Sequence, residues 1–230
     1  MIKKYISEFW QWALETTNKT KEEYCLNGFD QNLGEFEDEF FKFYEMIDWA
    51  KNAVNENILD EEILFDLLNV VGFDNESCTV IDYVIEHSSD EQLKRLIEIG
   101  TNHSQMNVRW QIMQVLFEKK PEGYFEKIKS LTHDKASYVR QHARNYLNYI
   151  RFGDRWEKHL FNLLRQEKFK KCVPSKILHE PICEFCMHKI GSEKLSVGYV
   201  GDNCEFWVCE TCFDDCRNGF ELQFLGDMNL

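Results

Sequence analysis

Four cysteines constrain this chain more than any other feature: Cys183-x2-Cys186 and, after 22 intervening residues, Cys209-x2-Cys212. A CxxC places two thiolates on one tight turn, so each pair supplies two corners of a tetrahedron and two pairs complete a four-thiolate site. The spacing predicts a centre for one zinc ion. With four thiolate ligands no coordination position is left for water, so the ion is expected to staple the fold rather than act as a Lewis acid. Two other readings exist for such cysteines. A thioredoxin-like redox pair belongs at a helix start after a buried strand in a larger βαβ domain, a pattern that does not precede either pair. Free buried thiols are the other. His188, Cys204 and Cys216 are alternative ligands by sequence position, although Cys216 suits a small apolar place on a helix and His188 a hydrogen bond beside the turn.

The setting of the cysteines predicts a small α+β domain. Residues 194–200 and 205–208 read as two short strands with Gly201-Asp202-Asn203 as their turn, and the second pair opens an amphipathic helix with Phe213, Cys216 and Phe220 on its inner side. Knuckle, hairpin, then knuckle at a helix start is the treble-clef arrangement. On these residues the tail (CEFCMHKI, LSVGYVG and FWVCETCFDDCRNGFEL) resembles the N-terminal zinc domain of the Clp-protease unfoldase, X subunit. The likeness lies in CxFC at Cys183–Cys186, an aromatic-Val-Cys-x2-Cys at Trp207–Cys212, and a further cysteine at Cys216. It implies zinc on the four CxxC cysteines and a module that dimerises or recruits adaptors and substrates. An extra Gly-Asp-Asn-Cys204 segment departs from that family, and the chain has no GxxxxGK[ST] phosphate loop, so unfoldase activity is not implied.

The rest of the chain reads as helical. Only 3 Pro and 11 Gly occur in 230 residues, too little punctuation for an all-β sandwich or barrel, and 18 Phe in a chain 43% apolar exclude disorder. Ile2, Tyr5, Ile6, Phe9, Trp10, Ala13 and Leu14 recur at three- and four-residue steps, predicting a first helix. A polar loop is expected over 18–32, then helices over 34–54 (Glu35, Glu37, Asp38 and Glu39 in its first turn), 61–71 with Gly72 as the stop, and 77–87. From Asp90 a helix–turn–helix unit repeats at an offset of 31 residues, which places Ile97 on Ile128, Val108 on Val139, Arg109 on Arg140 and Leu116 on Leu147. Such pairs bury their apolar faces only by stacking. Asp134-x4-Val139-Arg140-x2-Ala143-x3-Leu147 resembles the second-helix signature of HEAT repeats. A last helix is expected over 154–169, then a linker near Val173–Glu180, with Pro174 and Pro181 about it. The expected fold is mainly α: a HEAT-like α-solenoid or helical bundle over 1–175, followed by a treble-clef zinc domain over 176–230.

Charge is uneven. Residues 1–98 carry 8 basic and 23 acidic side chains, residues 99–176 carry 16 and 7, and residues 177–230 carry 3 and 10, within a total of −13. Such polarity suits two faces with different partners, or solvated helix exteriors. Arg109, Arg140, Arg144 and Arg151 fall on second helices of the repeat, where they would form a basic ligand-binding stripe or pair within the molecule. No run reaches the length of a membrane span, and Ser7, Glu8 and Gln11 break the apolar N-terminus, so a cytoplasmic protein is expected. The histidines are scattered singly and no HExxH, GxSxG or EF-hand spacing occurs, which points away from an enzyme, though a site in the groove of a solenoid would leave no such mark. The expected function is non-enzymatic protein–protein interaction, one version being an inhibitor or immunity-type protein whose acidic half caps a basic partner. A homodimer through the zinc domain is one way to extend it. The alternative is nucleic-acid binding by the basic 99–176 segment, with salt-sensitive affinity.

Overall fold

The computed structural model describes residues 1–28, 39–157, 160, 164, 167–173, 181–190, 197–202, 206–217 and 222–227. The chain divides into two units, Met1–His142 and Ala143–Leu230. The linker expected near Val173–Glu180 therefore falls inside the second unit; its residues 174–180 lie outside the described ones.

Among its described residues the first unit's regular structure is all helical: α1 Ile2–Thr17, α2 Lys21–Asn27, α3 Phe43–Asn55, α4 Glu61–Phe73, α5 Thr79–His87, α6 Asp90–Gly100, α7 Met106–Lys119, α8 Tyr124–Leu131, and the first residues of α9 Ser137–Phe152. Helix α4 is buried nearly all round, from Leu64 to Phe73, as is α7 from Met106 to Leu116; helices covered on nearly every side belong at the centre of a core. Phe9 of α1 stacks on Phe73 of α4 with centroids 3.9 Å apart, and Trp10 meets Phe73 edge-on. The expected stripe of α1 is thus its buried face, with Ile6, Phe9, Trp10 and Ala13 innermost.

Helix ends are closed by buried amides. The last carbonyls of a helix lack partners within it. Gln111 and Asn107 of α7 donate to Val71 O (2.7 Å) and Gly72 O (3.2 Å) of α4, and Gln92 donates to Ala53 O in the last turn of α3 and to Ile58 O beyond it. Gly72, expected as a stop, lies inside α4. A Cβ there would stand 2.6 Å from Gln105 Oε1 and 2.8 Å from Val108 Cγ2, so glycine serves close approach to α7 instead. Part of the expected 18–32 loop is α2, nucleated by a reciprocal Thr20–Glu23 capping box. Of the expected 34–54 helix, Phe43 onward is helical, as α3. Glu39 precedes α3, and residues 35–38 lie outside the described ones.

The 31-residue repeat is visible in hydrogen bonds. Arg109 Nη1 donates to His103 O and Ser104 O, both at 2.7 Å; Arg140 Nη1 donates to Asp134 O (2.9 Å) and Lys135 O (3.1 Å). The turns also correspond, with His103 N on Gly100 O and Asp134 N on Leu131 O. Successive units are tied together by Arg109, whose Nε and Nη2 reach the Asp134 carboxylate at 2.7 and 2.8 Å.

The second unit holds the rest of α9, a 3-10 turn at Gly153–Arg155, and a four-stranded sheet in the order β3-β2-β1-β4: β1 Lys168–Cys172, β2 Gly198–Val200, β3 Trp207–Cys209 and β4 Gln223–Asp227. Helix α10, Glu210–Cys216, follows β3. The expected hairpin is present, β2 pairing antiparallel with β3 through Gly198↔Cys209, Tyr199↔Val208 and Val200↔Trp207. Two strands were not expected. Phe169, placed by sequence at the end of a helix, lies in β1, where Phe169 and Cys172 turn inward; β4 pairs parallel with β1. Leu160, Leu164, Phe169, Phe185, Tyr199 and Phe213 form one core with the cysteines, and Tyr199 stacks on Phe213 at 3.8 Å.

Candidate metal centre

The first knuckle is a minute hairpin. Ile182 and Lys189 bridge antiparallel, Ile190 N bonds Pro181 O (2.7 Å), Cys183 N bonds His188 O and Met187 N bonds Cys183 O, both at 2.9 Å. Met187 takes φ +59° to close the turn, a conformation that side chains rarely adopt. Glu184 N bonds Trp207 O (2.8 Å), which joins this knuckle to the strand carrying the second. There Cys209 is the N-cap of α10 and Cys212 lies one turn on, so both face the same way.

The four sulfurs of Cys183, Cys186, Cys209 and Cys212 lie within 4.8 Å of one another. Cys186 Sγ and Cys209 Sγ are 3.8 Å apart. Thiolates ~2.3 Å from a tetrahedral zinc stand about 3.8 Å from each other, so donor set and spacing both fit the ion. Burial alone would push the Cys183 thiol up. Hydrogen bonds from Cys186, Cys209 and Cys212 nevertheless hold it well below its usual value, while Cys186 and Cys212, sharing their protons with it, are pushed up. Four thiolates crowded together ionise fully only around a cation. Cys183, Cys186 and Cys212 are fully buried, so the arrangement suits a closed, structural ion. Cys216, pushed up to about 11 by burial, stands apart from the quartet. His188 turns Nδ1 to Cys186 O at 3.1 Å. Cys204 lies outside the described residues.

The chain matches no protein-family model, no curated protein and no solved structure. Both resemblances drawn from the sequence therefore rest on the residues themselves.

The four arginines expected as a stripe are all engaged inside the chain. Arg109 (3% exposed) is spent on Asp134 and two carbonyls, and Arg140 on its own loop. Arg144 (2% exposed) donates from Nε to Cys212 Sγ (3.1 Å) and from Nη2 to Asp215 Oδ2 (2.7 Å), with Nη1 3.9 Å from Cys216 Sγ. Burial would lower its pKa, but the Cys212 and Cys216 sulfurs and the Asp215 carboxylate outweigh this and raise it. Arg151 donates to Glu184 O (2.6 Å) and lies 3.5 Å from the Glu184 carboxylate. Arg109, Arg144 and Arg151 pair with Asp134, Asp215 and Glu184, none of them in the acidic first 98 residues. Sequence reading missed this role because nothing in the chain's periodicity marks a guanidinium as the neighbour of a cysteine 68 residues away.

Among the described residues, no helix is long and apolar enough to cross a membrane.

Proposed function

We propose that this is a non-enzymatic, cytoplasmic protein–protein interaction protein, built on a HEAT-like helical scaffold and stapled by one structural zinc in a treble-clef module. The observation that supports it most is the recurrence of the same arginine-to-loop hydrogen bonds at a 31-residue offset, with Arg109 reaching into the next unit. Helix pairs held in register this way stack into extended surfaces, and such surfaces serve binding. The all-thiolate centre agrees, since it offers a substrate no open ligand position.

The partner class follows from charge. The first 98 residues carry a balance of −15, and within them Phe41 (70% exposed) and Tyr44 (65%) stand open beside Glu45 and Asp48. Exposed aromatics in a strongly acidic stretch of chain suit a basic protein, as an inhibitor or immunity-type protein would meet. The zinc module offers a second docking surface or pairs two copies.

Affinity purification of the chain from its host, followed by mass spectrometry, tests the reading. A stoichiometric basic protein is expected, released by salt and bound at least about tenfold more weakly by a Phe41→Ser/Tyr44→Ser/Asp48→Lys variant. Recovery of nucleic acid with no stoichiometric protein would favour binding through the basic 99–176 segment instead.

A further inference from the structure

Two arginines of α9, seven residues apart and so on one side of the helix, each grip one cysteine knuckle. Arg144 holds the second through Cys212 Sγ and Asp215; Arg151 holds the first through the carbonyl of Glu184, the residue after Cys183. All these groups belong to the second unit. Neither arginine is part of either CxxC motif.

The chemistry explains why arginine stands there. Four thiolates around a divalent cation leave a net charge of −2, buried here among Phe185, Phe213 and Leu164. A buried charge is costly unless paired and hydrogen-bonded. Arg144 has a side chain 3% exposed, and the carboxylate that orients it, Asp215, is 17% exposed. Its planar fork serves a sulfur and a carboxylate at once, which an ammonium cannot do with the same geometry. Such outer contacts fix ligand orientation and tune affinity.

We propose that Arg144 is the charge-compensating and positioning residue of the metal centre, and that with Arg151 it makes the second half of α9 part of that centre, so that metal binding and the seating of α9 are one event. This rests on the reading of the four thiolates as a zinc site. The metal then holds together segments spread from residue 144 to residue 216, well beyond the tail that carries its ligands.

The test uses the full chain. Zinc content and cobalt(II) substitution, followed by thiolate-to-cobalt absorption, first establish the centre in the wild type. A wild type that takes up neither metal sinks the zinc reading itself. With the centre established, zinc affinity is measured by chelator competition for Arg144→Met, Arg144→Lys and Asp215→Asn, with exposed Arg155→Gln as control. Expected losses are about 10- to 100-fold for Arg144→Met, with smaller losses for Arg144→Lys and Asp215→Asn and none for the control. Asp215→Asn leaves the arginine in place and answers the question if Arg144→Met does not fold. Hydrogen exchange supplies the second readout: removing zinc from the wild type should deprotect amides 143–152 together with the knuckles. Affinities of the Arg144 and Asp215 variants within twofold of wild type, or α9 exchange indifferent to metal, would overturn the proposal and leave the zinc site standing.

Discussion

Replacing Arg109 by methionine should cost the helical unit about 4 kcal/mol. The side chain lies in an ion pair whose partners are 3% and 8% exposed. Its removal leaves two loop carbonyls, His103 O and Ser104 O, without the donor that now sits 2.7 Å from each, at ~1 kcal/mol apiece. It also strands the Asp134 carboxylate, which keeps the Ala136 amide at 2.7 Å, at roughly a further 2 kcal/mol. The sum falls within the ~3–5 kcal/mol found when one member of a buried pair is removed. For a unit of this size that is on the order of a 10 °C drop in melting temperature. Far-UV circular dichroism during heating, and urea titration with the slope unchanged, would measure it. Arg140→Met is the internal comparison. Arg140 occupies the equivalent place in the repeat but is half-buried, with Nη1 on the carbonyls of Asp134 and Lys135, and should cost only about 1 kcal/mol. Equal costs for the two variants would refute the reasoning, because burial, not repeat position, is held to set the magnitude.

Zinc removal by a chelator should abolish the near-ultraviolet signal from Trp156 and Trp207, both packed on the cysteine core, while leaving the helices of Met1–His142 folded by far-UV circular dichroism. Alkylation of the four ligand cysteines should begin only after chelation, whereas Cys25 and Cys78, both pushed up by burial, the latter to about 11, stay slow throughout. His103 is held down at about 4 by burial, with Arg109 and Lys21 adding repulsion, against an ordinary value of 6.5. The unfolded chain takes up that proton first. The stability that a neutral imidazole contributes is therefore complete above about pH 6.5 and lost as pH falls toward 4, by up to roughly 3 kcal/mol. Urea midpoints against pH should show the slope, and His103→Gln should flatten it. Gly100→Ala places a Cβ 2.5 Å from Ile112 Cγ1 and should destabilise by about 1–3 kcal/mol in the same titration, despite alanine's better helix propensity.

What the sequence revealed depended on whether the signal was local. CxxC spacing is local chemistry, and it located the cysteine quartet by itself. The three- and four-residue apolar steps of α1, and the 31-residue offset linking α6–α7 to α8–α9, are likewise local and matched. Helix α2 was legible too, in the Thr20–Glu23 box, but seven residues with little apolar periodicity read as loop. Strands β1 and β4 were not legible. Phe169 and Cys172 supply only two inward positions, and what makes KFKKC a strand is pairing with residues 198–200 and 223–227. Gly72 misled for the same reason: glycine after an apolar run marks a stop, and only the distant Gln105 and Val108 show it to be a contact. The arginines stayed open between two readings. The spacing of Arg140, Arg144 and Arg151 along α9 is a helix-face pattern that serves an external ligand or an internal one equally well, and the sulfur and carboxylate that engage Arg144 lie far along the chain.

The buried amides that close the helix ends carry a further consequence. Gln92, Gln105 and Gln111 each spend their NH2 group, yet the carbonyl oxygens of all three are buried with no partner among the described residues. Leucine or methionine at these places would remove the unmet acceptors and fill the same space. The glutamines do what an apolar side chain does not: sliding α7 along α4 by one turn would break the bonds to Val71 and Asn69, whereas leucine would pack at either setting. The helix stack is therefore keyed to a single alignment, and variants apolar at positions 92, 105 and 111, which leave the Ile58, Asn69 and Val71 acceptors without these donors, are expected to melt lower while populating more than one arrangement, visible as broadened methyl resonances.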